Sequence, residues 1–278
     1  LATISSGTET STVSSLTNGS TYYYRISAND NAGNESSKTS DVTSMPHVTD
    51  GDYSLSFDGV NDYVMTPDAD ELDGMNYLSI QMWLKFSSYS DYQSEQKGFT
   101  ILSKTETPSS SSDNNLNRSY EIFTSHDEHR LTFSMRTGSG EVGISLSNYQ
   151  SQIDLNSWYN LTVVYDGAEI KMYLNGTLVS EGVSHTGSIL STEYPVYFAK
   201  SLGNNETTYF NGNMDEVSIW NDALTAAEIT ALYNSGNPLT ASSNSGNYTS
   251  AANVKGYWRF GENTGTKSHD LSGSGNHG

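Results

Sequence analysis

Leu78-Ser79-Ile80-Gln81-Met82-Trp83-Leu84-Lys85-Phe86 alternates without a break. Leu78, Ile80, Met82, Leu84 and Phe86 fall on one face, and Ser79, Gln81, Trp83 and Lys85 fall on the other. A period of two marks a strand with one face in a core, because successive side chains of a pleated chain point to opposite sides. Further along, Asp166-Gly167 and Asn175-Gly176 flank 168–174. Both are two-residue turn signals of the primed type, so they predict a meander of three strands beginning at Trp158. Strand-like runs recur at 53–57, 62–65, 99–103, 120–123, 131–135, 142–146, 158–165, 170–174, 196–199 and 216–220. About a dozen short strands with turn signals between them predict a sandwich or barrel.

One helix interrupts the pattern. Thr225-Ala226-Ala227-Glu228 is a capping box, with the threonine at the N-cap and the glutamate at the third helical position. Leu224 and Ile229 stand where a hydrophobic staple needs them, Leu232-Tyr233 continue the apolar face, and Gly236 is the expected left-handed stop.

Composition bounds the function. The 278 residues hold 13 Lys+Arg against 32 Asp+Glu, a formal charge of −19. Nucleic acid and anionic membranes need basic surfaces, so neither is an expected partner. The acidity favours cations instead, calcium above all. There is no cysteine, which removes disulfides, thiolate zinc sites and cysteine nucleophiles together. No apolar run approaches the ~18 residues of a membrane helix. The sequence opens at Leu1 without an initiator methionine and reads as an excerpt of a longer polypeptide.

Three blocks separate along the chain. Residues 1–46 are rich in Ser and Thr with short alternating runs. Within them, Leu16-Thr17-Asn18-Gly19-Ser20-Thr21-Tyr22 followed by Tyr24-Arg25-Ile26 resembles the E-to-F corner of a fibronectin type III domain. The resemblance implies the second half of an immunoglobulin-like sandwich, with Tyr22 as the corner tyrosine. Residues 52–236 form the main body, 237–253 read as a linker, and 254–278 read as a new module.

The main body resembles the laminin G-like, concanavalin A-like lectin/glucanase domain. The resemblance rests on 55–64 (Leu-Ser-Phe-Asp-Gly-Val-Asn-Asp-Tyr-Val), 78–85, 158–167, 170–176, Asn213-Met214-Asp215-Glu216-Val217-Ser218-Ile219-Trp220 and the helix from Leu224. It implies an all-β, antiparallel jelly-roll sandwich with one short helix. Gly256-Tyr257-Trp258-Arg259-Phe260 and the run to Gly278 resemble the opening of a second such domain.

Chemistry must be argued from sites, since one fold hosts many functions. Glycoside hydrolysis needs two carboxylates facing one bond, and glucanases of this fold place theirs at alternating positions of one strand. No such run occurs here. Asp215 and Glu216 are adjacent, so a regular strand sends them to opposite faces. His126-Asp127-Glu128-His129 lacks the spacing of a helical zinc motif and reads as a solvated hairpin turn. The chain is therefore expected not to be an enzyme.

Calcium is expected from one of two oxygen-rich sets. Asp58 and Asp62 flank the Gly59 turn, and the resemblance brings Asp215 near them. Asp113, Asn114 and Glu206 resemble, in loop position, the calcium loops of pentraxins. Sugar binding would use aromatic faces and amides, and the chain has 19 Tyr and 4 Trp. Most lie within strand runs. The tyrosines in polar loops are the candidates: Tyr89, Tyr92, Tyr149, and Tyr209 beside Asn204 and Asn205. These features point to a recognition or adhesion module for a polysaccharide or surface glycan, in a secreted or cell-surface protein with neighbouring modules. An accessory module of a secreted polysaccharide hydrolase or peptidase, or a spacer in a surface fibre, are the alternatives.

Overall fold

A computed structural model describes residues 22–30, 32–44, 53–90, 98–105, 118–125, 129–202, 207–262 and 265–278. The chain divides into two compact units, Leu1–Gly51 and Asp52–Gly278. In the first unit, β1 (Tyr22–Tyr24) and β2 (Val42–Ser44) pair antiparallel, with Tyr22 opposite Ser44. Between them Asp30 accepts hydrogen bonds from the backbone N–H of Ala32 and Asn34, both at 2.9 Å, as the Asn/Asp-rich turn predicts. The predicted corner at Leu16–Thr21 and the Tyr22 side chain lie outside the described residues.

The second unit is a sandwich. Its strands are β3 (Leu55–Asp58), β4 (Val64–Thr66), β5 (Leu78–Phe86), β6 (Thr100–Thr105), β7 (Arg118–Ser125), β8 (Arg130–Thr137) and β9 (Gly140–Ser147). These are followed by β10 (Trp158–Tyr165), β11 (Glu169–Leu174), β12 (Thr177–Ser184), β13 (Val196–Phe198), β14 (Lys200–Leu202), β15 (Thr207–Tyr209) and β16 (Asn211–Trp220). A helix, α1 (Ala226–Tyr233), and β17 (Val254–Trp258) complete it. One sheet runs β12-β11-β10-β5-β16-β17, with β3 also on β16; the other runs β4-β13-β6-β7-β8-β9. Among the described residues every strand pairing within the two sheets is antiparallel.

Alternation dictates the packing. The odd face of β5's partner β10 (Leu161, Val163, Tyr165) joins Leu78, Ile80, Met82, Leu84 and Phe86 in the core between the sheets. The predicted meander is present, and Asn175 and Gly176 take φ of 50° and 74°, as a primed turn requires. The opposite face of β5 is also buried. Trp220 of β16 and Leu224 pack on that side with Ile229 and Leu232 of α1 and with Ala241 and Tyr248 of the segment after it.

Helix α1 begins as predicted. The Glu228 N–H donates to Thr225 Oγ1 at 3.3 Å, and the Thr225 N–H donates to Glu228 Oε2 at 3.0 Å. It ends earlier than predicted. Asn234, not Gly236, is the left-handed C-cap, with φ 44° and ψ 47°, because asparagine tolerates that conformation.

Two boundary expectations are corrected. Residues 237–253 are not a linker: Ala241 and Tyr248 are buried, and the Trp220 indole N–H donates to the Tyr248 hydroxyl at 2.9 Å. Residues 254–278 do not open a second domain. Strand β17 pairs with β16, Val217 facing Trp258, and Trp258 lies in the core with its ring edge-on to Phe198 at 4.9 Å. A strand that opens a sandwich and one that closes it carry the same local alternation, so the sequence pattern alone could not separate them.

Candidate functional site

Strand β16 carries two partners on one edge. Its first half pairs with β3, Asn211 to Asp58 and Met214 to Leu55; its second half pairs with β17, Val217 to Trp258 and Trp220 to Val254. Between the two partners stand Asp215 and Glu216. On the other side of β16 the register with β5 shifts between Asp215 and Ser218, and Glu216 takes φ 50°. This is a bulge, and it switches the inward-facing positions from Met214 to Val217 and Ile219. The Asp215 carboxylate accepts from the Glu216 N–H at 2.7 Å. Glu216 is buried, accepts from the Tyr257 hydroxyl, and pairs with Arg259 at 2.7 Å. Burial first, and then the Glu216 charge, push the Tyr257 hydroxyl far above the usual tyrosine range.

A cleft of about 700 Å³ opens where the two half-strands leave that edge. One wall is Tyr53, Ser54 and Leu55 with Tyr63, Val64 and Met65; the other is Phe260, Glu262 and Gly265–Ser268; Gly278 closes the floor. Tyr53 (44 %), Tyr63 (47 %) and Met65 (42 %) are exposed. Alternation explains the last two, since Met65 of β4 and Tyr63, just before the strand, are two residues apart and point outward while Thr66 turns inward and is buried. Asn213 holds the Ser54 hydroxyl at 3.2 Å.

The far wall is tied down by Asp270. Its carboxylate accepts from the N–H groups of Tyr257, Ser272, Gly275 and Asn276, each at 2.9 Å, and from the Ser272 hydroxyl at 2.8 Å. Ser268 and Gly278 exchange two backbone hydrogen bonds of 2.8 Å. Phe260 takes φ 53°, a left-handed backbone for a bulky residue, while its ring packs edge-on to Phe198. Lys200 Nζ sits 3.7 Å from the centre of the Tyr63 ring and 5.2 Å from that of Tyr197. Burial, and then Tyr63, raise the Tyr197 hydroxyl above its ordinary range. The Ser268 hydroxyl is buried and has no hydrogen-bond partner among the described residues.

The predicted site residues are dispersed. Tyr149 is corrected outright: it is fully buried, its ring edge packs with Tyr89 and Phe86, and its hydroxyl bonds Ser90. A sugar cannot reach it. Tyr89 is half-buried and donates to the Ile153 carbonyl at 2.7 Å, and Tyr209 is half-buried on β15, opposite Lys200. Tyr92, Asn204, Asn205, Asp113, Asn114 and Glu206 lie outside the described residues, as do the first three residues of the 126–129 run.

The set Asp58, Asp62 and Asp215 does not assemble. Asp58 pairs across from Asn211, four residues and about 13 Å of strand from Asp215. Asp58 instead accepts from the Val60 N–H at 2.8 Å, and Asp62 accepts from the Asp58 N–H at 3.1 Å, so both shape the turn. Among the described residues no group of three or more His, Asp or Glu is placed to hold a metal ion. Sequence reasoning missed Tyr53 and Tyr63 by treating strand tyrosines as packing. The usable signal was Tyr63 and Met65, two large apolar groups on the outer face of an edge strand.

Residues 58–230 match the sequence family described as the Concanavalin A-like lectin/glucanases superfamily, which leaves β17 and the far wall of the cleft outside the match. Mouse pappalysin-1 is 27% identical over 103 residues, 37% of this chain and 6% of that protein's length. Among solved structures, a Bacteroides ovatus protein provisionally described as carbohydrate binding has a TM-score of 0.54 at 14% identity, covering 94% of this chain and 68% of its own. A heptameric SAP-like pentraxin from Limulus polyphemus has a TM-score of 0.46 at 15% identity, covering 64% and 80%. The Bacteroides likeness shows the fold.

Proposed function

The chain belongs to the concanavalin A-like lectin/glucanase superfamily, and from that premise we propose that it is a non-catalytic module binding polysaccharide in the cleft between β3, β4 and the segment after β17. The observation that carries the reading is the cleft itself: exposed Tyr53 and Tyr63 facing a wall that carries Glu262, Thr266 and Lys267. Rigid aromatic faces supply contact area to a pyranose ring at low entropic cost, and the polar groups orient its hydroxyls. Asp215 and Glu216 do not argue for hydrolysis. One carboxylate bonds the neighbouring backbone, and the other is taken up by Tyr257 and Arg259. The proposed setting is a secreted or cell-surface protein, with the fibronectin-like residues 1–46 as an adjoining module.

A glycan array on the whole chain tests the reading. Tyr53→Ala and Tyr63→Ala should each weaken binding by about tenfold while the protein stays folded, as loss of a ring contact does. Tyr89→Ala and Tyr209→Ala are the comparison variants. Binding that disappears in these two and survives in Tyr53→Ala moves the site to the loops, and release of reducing sugar overturns the non-catalytic reading.

A further inference from the structure

We propose that His277 is an acid-sensitive latch on the far wall of the cleft: a proton on its Nδ1 breaks the bond that holds the loop 268–278 together, so mild acid loosens this wall. Release of a glycan in mild acid then follows, and that consequence rests on the cleft being the glycan site.

The loop is closed at its base by the two backbone hydrogen bonds of 2.8 Å between Ser268 and Gly278, and both residues belong to the cleft lining. Inside it, the Asp270 N–H donates to His277 Nδ1 at 3.0 Å. A ring nitrogen accepts only with its lone pair free, so this bond requires the neutral imidazole with its proton on Nε2. A proton on Nδ1 sets one N–H against another. Asp270 is buried, and a buried donor that loses its acceptor is costly. The same residue's carboxylate gathers the N–H groups of Tyr257, Ser272, Gly275 and Asn276. Displacing the Asp270 backbone therefore disturbs the scaffold of the whole loop, and with it the wall that leads in from Thr266 and Lys267.

The groups around His277 set where it titrates. Burial first, then Lys267 and His269, lower its pKa from the ordinary 6.5, against an opposing pull from Asp270. The Asp270 carboxylate is already engaged by its four N–H donors and by the Ser272 hydroxyl. The His269 ring packs edge-on to His277 at 5.3 Å, and the His269 backbone N–H donates to Glu262 at 2.7 Å. Elements packed against the loop meet it at the adjacent Asn276. Its amide donates to Glu71, from the short helical turn 70–72, at 3.2 Å and to the Lys255 carbonyl of β17 at 2.8 Å. Strand β4 reaches it through the Thr66 hydroxyl, which donates to the Asn276 carbonyl at 3.4 Å, and Val64, Met65 and Thr66 bring no charge. The folded pKa lies below the unfolded one, so the latch is whole above about pH 6.5 and is lost as pH falls through the folded value.

The test is backbone hydrogen exchange on the whole chain from about pH 7.5 to about pH 5, corrected for the intrinsic effect of pH, a window in which histidine ordinarily titrates. Peptides covering 265–278 should lose protection by about tenfold or more, while those of β5 and β10 keep theirs. The loss should follow the titration of His277 itself, read from its ring nitrogens by NMR, with Nδ1 unprotonated at about pH 7.5. His277→Asn offers an amide oxygen to the Asp270 N–H and does not titrate, so its loop should stay protected across the window. His269→Gln should keep the response. Protection that does not change with pH in the parent, a loss that survives in His277→Asn, or a proton on Nδ1 at neutral pH overturns the inference. The parent's exchange and ring shifts decide the matter even where His277→Asn fails to fold. Affinity for a polymer identified on the array separates this inference from the glycan reading. If affinity weakens with the same midpoint, both stand. If the wall loosens and affinity holds, the latch stands and the cleft is not the glycan site. If the wall stays rigid and binding is still lost in Tyr53→Ala, the glycan reading stands while this one falls.

Discussion

Leu55 and Trp258, from opposite ends of the sandwich's chain, lie on the same edge of β16, opposite Met214 and Val217. The gap between them holds the Glu216 bulge, and the chain next to each partner strand, residues 53–55 and 260–268, supplies residues of the cleft lining.

Strand β17 is therefore part of the fold. Removing residues 254–278 should leave a protein that aggregates or unfolds, because it uncovers β16 and the Phe198 side of the core. Trp258→Ala should cost about 3–5 kcal/mol, the usual loss for a buried tryptophan. Thermal and urea unfolding of the full chain and the variant measure it. A truncated 52–253 fragment with unchanged Tm would return 254–278 to the status of a separate module.

The start of α1 makes stability depend on acid pH. Burial alone would raise the Glu228 carboxyl, but donors from Thr225, Ser250 and Thr249 outweigh it and lower it from 4.5 to about 2. The folded pKa is depressed, so the stabilisation is fully present above about pH 4.5 and is lost as pH falls toward 2. Glu228→Gln should flatten that acid limb of the Tm–pH profile. Thr225→Ala should cost about 1 kcal/mol as a lost N-cap and leave glycan binding unchanged.

Lys104 and Asp73 form an ion pair of 3.1 Å with neither side chain meeting water. The Tyr194 carbonyl accepts from Lys104 at 2.6 Å, and the Thr192 N–H donates to Asp73 at 2.8 Å, so the charges are solvated by the protein. Lys104→Met should destabilise by about 3–5 kcal/mol, since it strands a buried carboxylate. Adding Asp73→Asn should recover part of that loss. A single variant as stable as the parent would show that water reaches the pair.

Calcium remains a proposal for Asp113, Asn114 and Glu206, motivated by the charge of −19. A ligand of the native state alone raises Tm with its concentration, so millimolar calcium should exceed magnesium or chelator in a melting series. Asp113→Ala should remove the rise, whereas Asp58→Asn should not, because Asp58 is already engaged by Val60. No shift in calcium removes the site.

The all-β class, the meander and the capped helix were legible because their causes are local. Alternation in 78–86, Asn175-Gly176 and Thr225-Ala226-Ala227-Glu228 each act through neighbours a few residues apart. Tyr149 shows where local reading ends: a tyrosine between polar residues was buried by Phe86, Tyr89 and Ser90, residues from elsewhere in the chain. The same holds for the cleft. That β3 and β17 divide one edge of β16, and that Tyr53 and Tyr63 face Lys267 across the gap, follow from which strands pair. Pairing is settled by burial of whole sheet faces, and no single stretch of sequence encodes it.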